Sequence, residues 1–440
     1  MTTTREQLAI NGGPPARRTP MPPMYPGGMA IGEEEERAVV EVIRRKRLFR
    51  YYGPDGRPSR VAEFEDAFAR HMGVQYARAV SSGTAALICA LVGAGVGPGD
   101  EVIVPAYTWI SSPISAVMVG AIPVLAEVDE SLTLDPADVR RKITPLTRAI
   151  MPVHMRGAPA DMDPIMAIAR EHGLAVVEDV GQAAGGSYHG RRLGAIGDLG
   201  TFSLQVNKII TAGEGGVVTT DDRTGWLRAT AFHDPADGGM GSGVSPDEVP
   251  NFPGQNYRAT EFLGALGLVQ LGRLDALLAP MRARKRRITA GLQGIRGLEL
   301  RRLNDAAGDT GLCVIMFLPT AETAREVSAA LAAENVATWH LYRPERRDYH
   351  VFAHWHQILS KSSPTAANFP WAPAYYKGNV TYSTDMCPRT LDLLGRALNL
   401  DVSPLLTDED VEEIIAAVRK VAEVLLYDAG PTRHAAGQDG

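Results

Sequence analysis

Apolar and polar positions along the chain follow one period early and another later. In "SRVAEFEDAFARHMG" (59–73), Val61, Phe64, Ala67 and Phe68 form one stripe at helical spacing, and Gly73 stops it. "IGEEEERAVVEVIRRKR" (31–47) reads as another helix, with acids early and bases late, as the helix dipole favours. Beyond these, short apolar runs predict strands: "EVIVP" (101–105), "IPVLAEV" (122–128), "RAIMPV" (148–153) and "LAVVEDV" (174–180). Helical stretches separate them: "SSPISAVMVG", "DPADVRRKI" and "DMDPIMAIAREHG". Strands that do not alternate, interleaved with helices, predict an α/β fold with a parallel sheet covered on both faces.

A long helical segment at 260–292 is the natural bridge to a second unit. There "GLCVIMFLP", "TAREVSAALAAENV" and "TDEDVEEIIAAVRKVAEVLL" suggest a smaller α+β domain. The expected organisation is a Pro/Gly-rich arm at 1–30 laid over another part of the molecule, a large ligand-binding domain at 31–290, a small domain at 291–430 and a disordered tail at 431–440.

The bulk numbers exclude several classes. Of 440 residues, 45% are hydrophobic and 22% charged, and the net charge of -6 gives no sign of nucleic-acid or membrane binding. Three scattered cysteines (Cys89, Cys313, Cys387) form neither a disulfide framework nor a zinc motif. The first twenty residues lack an apolar signal-peptide core, and "AALICALVGAGV" is too short to span a bilayer, so the cytoplasm is the expected location.

Chemistry gathers where strands end. In "FSLQVNKIITAGEGGVVTT" (202–220), Lys208 lies among Val206, Ile209 and Ile210. Such an amine either enters a desolvated place and becomes nucleophilic, or snorkels from a strand end. "SSGTAALICAL" (81–91) opens a helix on small residues. It is either a phosphate site at a helix N-terminus, with Thr84 adding a donor, or an ordinary helix capped by Ser82 or Thr84. No Gly-Lys-Ser/Thr follows it, and "GAGVGPG" (93–99) leads from helix to strand, so a single phosphate fits better than a di- or triphosphate. Asp179 ends a buried strand and either faces a protonated ring nitrogen or caps the next loop. Trp109 in "PAYTWISSP" either lies on a flat ligand or belongs to the core. Together these features ask for a flat, phosphorylated, cationic heterocycle reached by a lysine, which pyridoxal phosphate satisfies.

The order SGTAAL, PAYTW, MPVHMRGAPADMD, EDVGQAAGG, LGTFSLQVNKIITAGEGG and GQNYRATEF resembles the DegT/DnrJ/EryC1/StrS aminotransferases over about residues 8–425. "AINGG", "PVHM" and "KIITAGEGG" are closest to the branch serving aminocyclitols and 3-amino-5-hydroxybenzoate. The resemblance implies a fold-type I pyridoxal-phosphate enzyme, with a mostly parallel seven-stranded sheet sandwiched by helices and a small C-terminal domain. It implies that Lys208 forms the Schiff base and shuttles the proton. Asp179 would hold the pyridine nitrogen protonated, Gln182 would reach the ring oxygen and Trp109 would stack on the ring. Gly83, Thr84 and Ser203 would bind phosphate, and Asn256 would reach the phosphate of a partner subunit in a homodimer. The implied reaction is ping-pong through the pyridoxamine phosphate form, from glutamate or glutamine to a keto-sugar or keto-cyclitol.

Some residues depart from the family pattern. Val180-Gly181 replaces two alanines, and extra sequence at 233–250 and 343–388 would shape the acceptor pocket. Lysine at 208, where the related dehydratases have histidine, favours transamination. A lyase, decarboxylase or cyclase on the same scaffold, or a non-catalytic binding protein, are the rival expectations. Outside the motif set, His350, His354 and His356 either ligate metal or line the pocket. No metal site is expected. Arg50 or Tyr51, in a basic Gly-bounded loop, is a candidate for a substrate carboxylate or phosphate. His154 either faces the ligand or is a satisfied core histidine.

Overall fold

The computed structural model describes residues 4–54, 56–235, 248 and 252–426. Part of the 233–250 insertion and the 431–440 tail lie outside them. The strands in chain order are β1 (Tyr76–Val80), β2 (Glu101–Pro105), β3 (Ile122–Ala126), β4 (Thr147–Ile150), β5 (Ala175–Asp179), a two-residue pair β6 (Ser187–Tyr188) and β7 (Arg191–Arg192), β8 (Leu199–Ser203) and β9 (Gly216–Thr220). Then come β10 (Glu299–Leu300), β11 (Cys313–Phe317), β12 (Trp339–His340) and β13 (Ala397–Asp401).

Seven strands make the large sheet in the order β1-β9-β8-β5-β4-β2-β3. The pairs from β8 to β3 are parallel, while β9 runs antiparallel to both β1 and β8. Successive residues of one strand enter opposite cores: Val102 and Val104 join one apolar cluster, Ile103 the other, and Val177 and Val176 divide the same way. A sheet buried on both faces needs apolar residues at every position, which explains the uninterrupted runs. The helix Gly83–Gly93 is apolar almost all round because it lies against the sheet between the helices Ser111–Met118 and Arg223–Phe232.

The 32-residue helix Glu261–Leu292 passes from the large sheet to the small one. Among the described residues it is the one helix long and apolar enough to cross a bilayer, but Leu271, Leu274 and Leu278 are buried in the core under the large sheet. The antiparallel sheet β10-β11-β13-β12 follows, backed by the helices Ala321–Ala333 and Asp408–Leu425.

The N-terminal arm lies over this second unit. Leu8 is buried in its core, the amides of Ala9 and Ala16 donate to the Glu334 carboxylate at 2.9 and 2.7 Å, and Arg17 pairs with Asp410. The arm then returns to the large sheet, where the Gly27 amide donates to the carbonyl of Lys208 at 3.0 Å.

His154 belongs to this framework. It is fully buried, its Nδ1 accepts from the Ala160 amide at 3.0 Å, and Nε2 therefore carries the proton donated to Glu178, also 3.0 Å away. Glu178 also accepts from the amides of Gly194, Ile196 and Gly197. The expectation that His154 meets a substrate is not met. It is the core histidine that ties β5 to the segment after β4, while Glu178 ties β5 to the loop before β8. Burial works against the Glu178 carboxylate, but the histidine and amide donors together hold it below the usual range.

A carboxylate with a lowered folded-state pKa contributes stability above its unfolded value, and that contribution is lost as pH falls through the folded one. His154→Ala is expected to cost about 3 kcal/mol in urea unfolding at pH 7, by stripping a partner from a buried charge. Glu178→Gln should flatten the acid limb of stability below about pH 4.5. Wild-type stability and acid dependence in both variants would contradict the assignment.

Candidate active site

A cavity of about 690 Å³ lies beyond the carboxyl ends of the parallel strands, where open α/β sheets bind ligands. It brings together Gly83, Thr84, Trp109, Asp179, Gln182, Ser203 and Lys208. Each arrives at the last residue of a strand or on the segment that follows one, so the sheet fixes their separation.

At one end, Ser82 caps the helix Gly83–Gly93 by accepting from the Ala85 amide at 3.0 Å. This answers the capping question for Ser82 and leaves the first-turn amides beside the cavity. A Cβ at Gly83 would stand 2.7 Å from Cβ of Ser203, so only glycine lets the helix start this close to β8. The Thr84 hydroxyl donates to Ser111 at 2.9 Å. A helix N-terminus with a serine hydroxyl alongside is suited to an anion.

Asp179 ends β5, one residue after the core-facing Glu178, so strand alternation turns it toward the cavity. Its Oδ1 accepts from the Gly181 amide at 3.0 Å and its Oδ2 from the Ser112 hydroxyl at 2.7 Å. Both bonds suit an ionised carboxylate. A Cβ at Gly181 would lie 3.1 Å from Oδ1, so the glycine relieves this tight turn. Gln182 presents Oε1 to the Arg156 amide at 3.2 Å.

Lys208 sits on the loop between β8 and β9. That loop is pinned by Leu204–Gly215 and Ala212–Leu204 backbone bonds and by the Thr211 hydroxyl on the Leu204 carbonyl. Ile209 and Ile210 are buried, whereas Val206 is exposed, so the apolar setting of the lysine comes from its C-terminal side. Lys208 is half-buried overall, with its exposure directed into the cavity. Desolvation lowers its pKa, the Asp179 carboxylate opposes that shift, the Arg156 cation adds to it and Glu214 opposes it. More of this amine is therefore unprotonated near neutral pH, and available as nucleophile or base, than of a surface lysine.

Trp109 is 44% exposed, at the cavity wall, with its ring 4.9 Å from that of His350. His350 lies in the 343–388 insertion and is held by Asp348 at 2.8 Å. Burial lowers its pKa, against the pull of that carboxylate. Of the three histidines there, His350 lines the cavity, His354 is buried against Tyr342 and His356 is exposed, so they do not converge.

Three further expectations fall elsewhere in the chain. Arg50 is 2.5 Å from Glu65, which also pairs with the buried Arg78. The hydroxyl of Tyr51 meets Nε2 of His233 at 3.3 Å. Neither lines the cavity: the basic loop is tied down by an acid that the helical stripe of 59–73 had hidden. Asn256 is exposed and outside this chain's cavity.

The sequence reading missed Arg156, Trp339 and Asp401, all on the cavity wall. Arg156 is left-handed, with φ 54°, a conformation that costs a non-glycine residue about 1 kcal/mol. Its charge directly after the "PVHM" strand end was the available signal. Trp339 and Asp401 come from the second sheet and leave no local signal.

A family model described as the DegT/DnrJ/EryC1/StrS aminotransferase family matches residues 29–371. The chain is similar to L-glutamine:2-deoxy-scyllo-inosose aminotransferase of Streptoalloteichus tenebrarius, 34% identical over 440 residues covering 94% of this chain and 97% of that protein. It is 47% identical to GDP-perosamine synthase of Caulobacter vibrioides over 224 residues, 50% of this chain and 58% of that one. The crystal structure of 3-amino-5-hydroxybenzoic acid synthase superposes with TM-score 0.74 at 28% identity, covering 92% of this chain and 99% of that one.

In the protein without cofactor, Lys208 is expected to label with an amine reagent at lower pH than surface lysines. Asp179→Asn removes a carboxylate that holds the ammonium, so the midpoint should fall further. Peptide-resolved labelling against pH checks this, and a midpoint that stays or rises in the variant would contradict the coupling.

Proposed function

The chain belongs to the DegT/DnrJ/EryC1/StrS aminotransferase family, and on that premise we propose that it moves an amino group from glutamine or glutamate to a keto-sugar or keto-cyclitol, using pyridoxal 5'-phosphate. The observation that carries this reading is the meeting of Lys208, Asp179 and the Gly83–Ser203 cradle in one cavity. The inosose and perosamine enzymes among its relatives support a polyhydroxylated acceptor, and the inosose enzyme supports glutamine as donor.

The residues present fit that cofactor. Gly83, Thr84 and Ser203 would hold its phosphate, Asp179 its ring nitrogen, Gln182 its ring oxygen, and Trp109 would cover a ring face. When bound, the cofactor supplies an electron sink for the pair left on the substrate carbon as a proton departs. Asp179 would favour the protonated form of the ring nitrogen: a charge pair at ~4 Å and an effective dielectric of ~20 contributes about 4 kcal/mol. Lys208, its pKa lowered by desolvation, would accept the proton that leaves the substrate carbon. Its position is kept by the loop bonds at Leu204 and by the arm at Gly27. We further propose a homodimer in which the partner subunit's Asn256 completes the phosphate site. Three buried free thiols support the cytoplasm as its location.

Two outcomes follow. Gly83→Ala should weaken pyridoxal 5'-phosphate binding at least about tenfold, because the new methyl pushes the helix start off Ser203; fluorescence titration reads it, and unchanged affinity would remove Gly83 from the site. With L-glutamine labelled at its α-nitrogen, the protein should release 2-oxoglutaramate and keep the label for an acceptor. Carbon dioxide or ammonia in place of the keto acid would mean a decarboxylase or lyase instead.

A further inference from the structure

We propose that Arg156 is the recognition site for a carboxylate carried by one of the two reactants, a proposal that rests on the aminotransferase reading above. Arg156 lines the same cavity as Lys208, on the side formed by the second sheet, with Leu312, Trp339 and Asp401. Its guanidinium is committed at one corner only: Nε donates to the Tyr107 hydroxyl at 3.2 Å, and the group lies 5.7 Å from the Trp339 ring centre. Among the described residues, no acid forms an ion pair with it. Asp401 and Asp348 feel its charge through space without pairing. Burial raises the Tyr107 hydroxyl and the Cys313 thiol, so both neighbours stay neutral. The remaining N–H donors therefore form a flat two-pronged edge of the shape a carboxylate accepts.

Phosphate is the poorer occupant. The anion cradle at Gly83 and Ser203 is a separate part of the cavity, and the two acids near Arg156 repel a dianion more than a monoanion. The residue is also held in place. Its amide is on Gln182, its carbonyl accepts from the Cys313 thiol at 3.7 Å, and Arg301 holds the carbonyl of Met155. A Cβ on Gly157 would collide with the Thr310 hydroxyl, so the loop is wedged from behind. This arrangement preorganises a side chain that no acid among the described residues neutralises by direct contact. The carboxylate can come from the amino donor or from an acidic acceptor.

The test compares cofactor-loaded wild type, Arg156→Gln and Arg156→Lys, each first checked for the same melting temperature and visible spectrum. In the donor arm, half-reactions are followed by visible absorption with L-glutamine and with 4-aminobutanamide, which lacks its carboxylate. In the acceptor arm, the reverse half-reaction uses a 2-amino-uronic acid and the neutral hexosamine. Arg156→Gln is expected to raise the half-saturating concentration of the carboxylate-bearing compound in one arm by roughly 10- to 100-fold. The carboxylate-free compound should stay within about twofold, and Arg156→Lys should recover part of the loss. The arm that responds identifies the source. Equal losses within each pair, or no loss in either arm, overturn the site.

Calorimetric titration of the cofactor-free proteins with glutarate separates this proposal from the one beneath it. A wild type without a visible band would sink the aminotransferase reading, while glutarate binding lost only in Arg156→Gln would still support the arginine site. Glutarate bound equally by both proteins would overturn it.

Discussion

An amine taken out of water gives up hydration worth several kcal/mol, and it stays useful only if the charges around it are fixed. Lys208 is in that position. Desolvation and Arg156 push its proton off, while Asp179 and Glu214 hold it on. Asp179 is itself immobilised by Ser112 and the Gly181 amide. The balance needs the end of β5, the loop before β9 and the start of the helix Gly83–Gly93 at fixed separation. A seven-stranded sheet buried on both faces provides that rigidity.

The remainder of the chain closes the cavity from the second sheet. Trp339 and Asp401 reach it from β12 and β13, and His350 from an insertion that lies against Trp109. The N-terminal arm links both regions, with Leu8 in the small core and Gly27 on the backbone of the lysine. A Cβ at Gly27 would stand 2.9 Å from that same carbonyl oxygen, so arm and lysine loop are fitted closely. The arm thus joins the small sheet to the lysine loop through covalent chain and packing.

The strands and helices of the large sheet were legible because double-sided burial writes long apolar runs, as at "EVIVP", and because helix stops such as Gly73 are local. The reversal of β9 was not, since a Gly-rich turn before "VVTT" is compatible with either direction. β10 and β12 have two residues each, too few to leave a period. At the site, Lys208, Asp179 and Gly83 were legible as strand-end chemistry. Arg50 and Tyr51 lie outside this chain's cavity, and Glu65, the acid that ties down Arg50, is hidden on an amphipathic helix. His154 was ambiguous because its partner Glu178 adjoins Asp179, and only strand alternation assigns one acid to the core and the other to the cavity. Arg156 draws its meaning from residues up to 401, which no local reading reaches.

The central claim is that the amine of Lys208 is the one joined to the cofactor. Borohydride reduction of the purified protein in the presence of pyridoxal 5'-phosphate, followed by peptide mass mapping, tests it most directly. The expected result is one modified peptide, with the reduced cofactor's mass on Lys208 and none in Lys208→Ala. Mass fixed on another lysine, or on none, would contradict it.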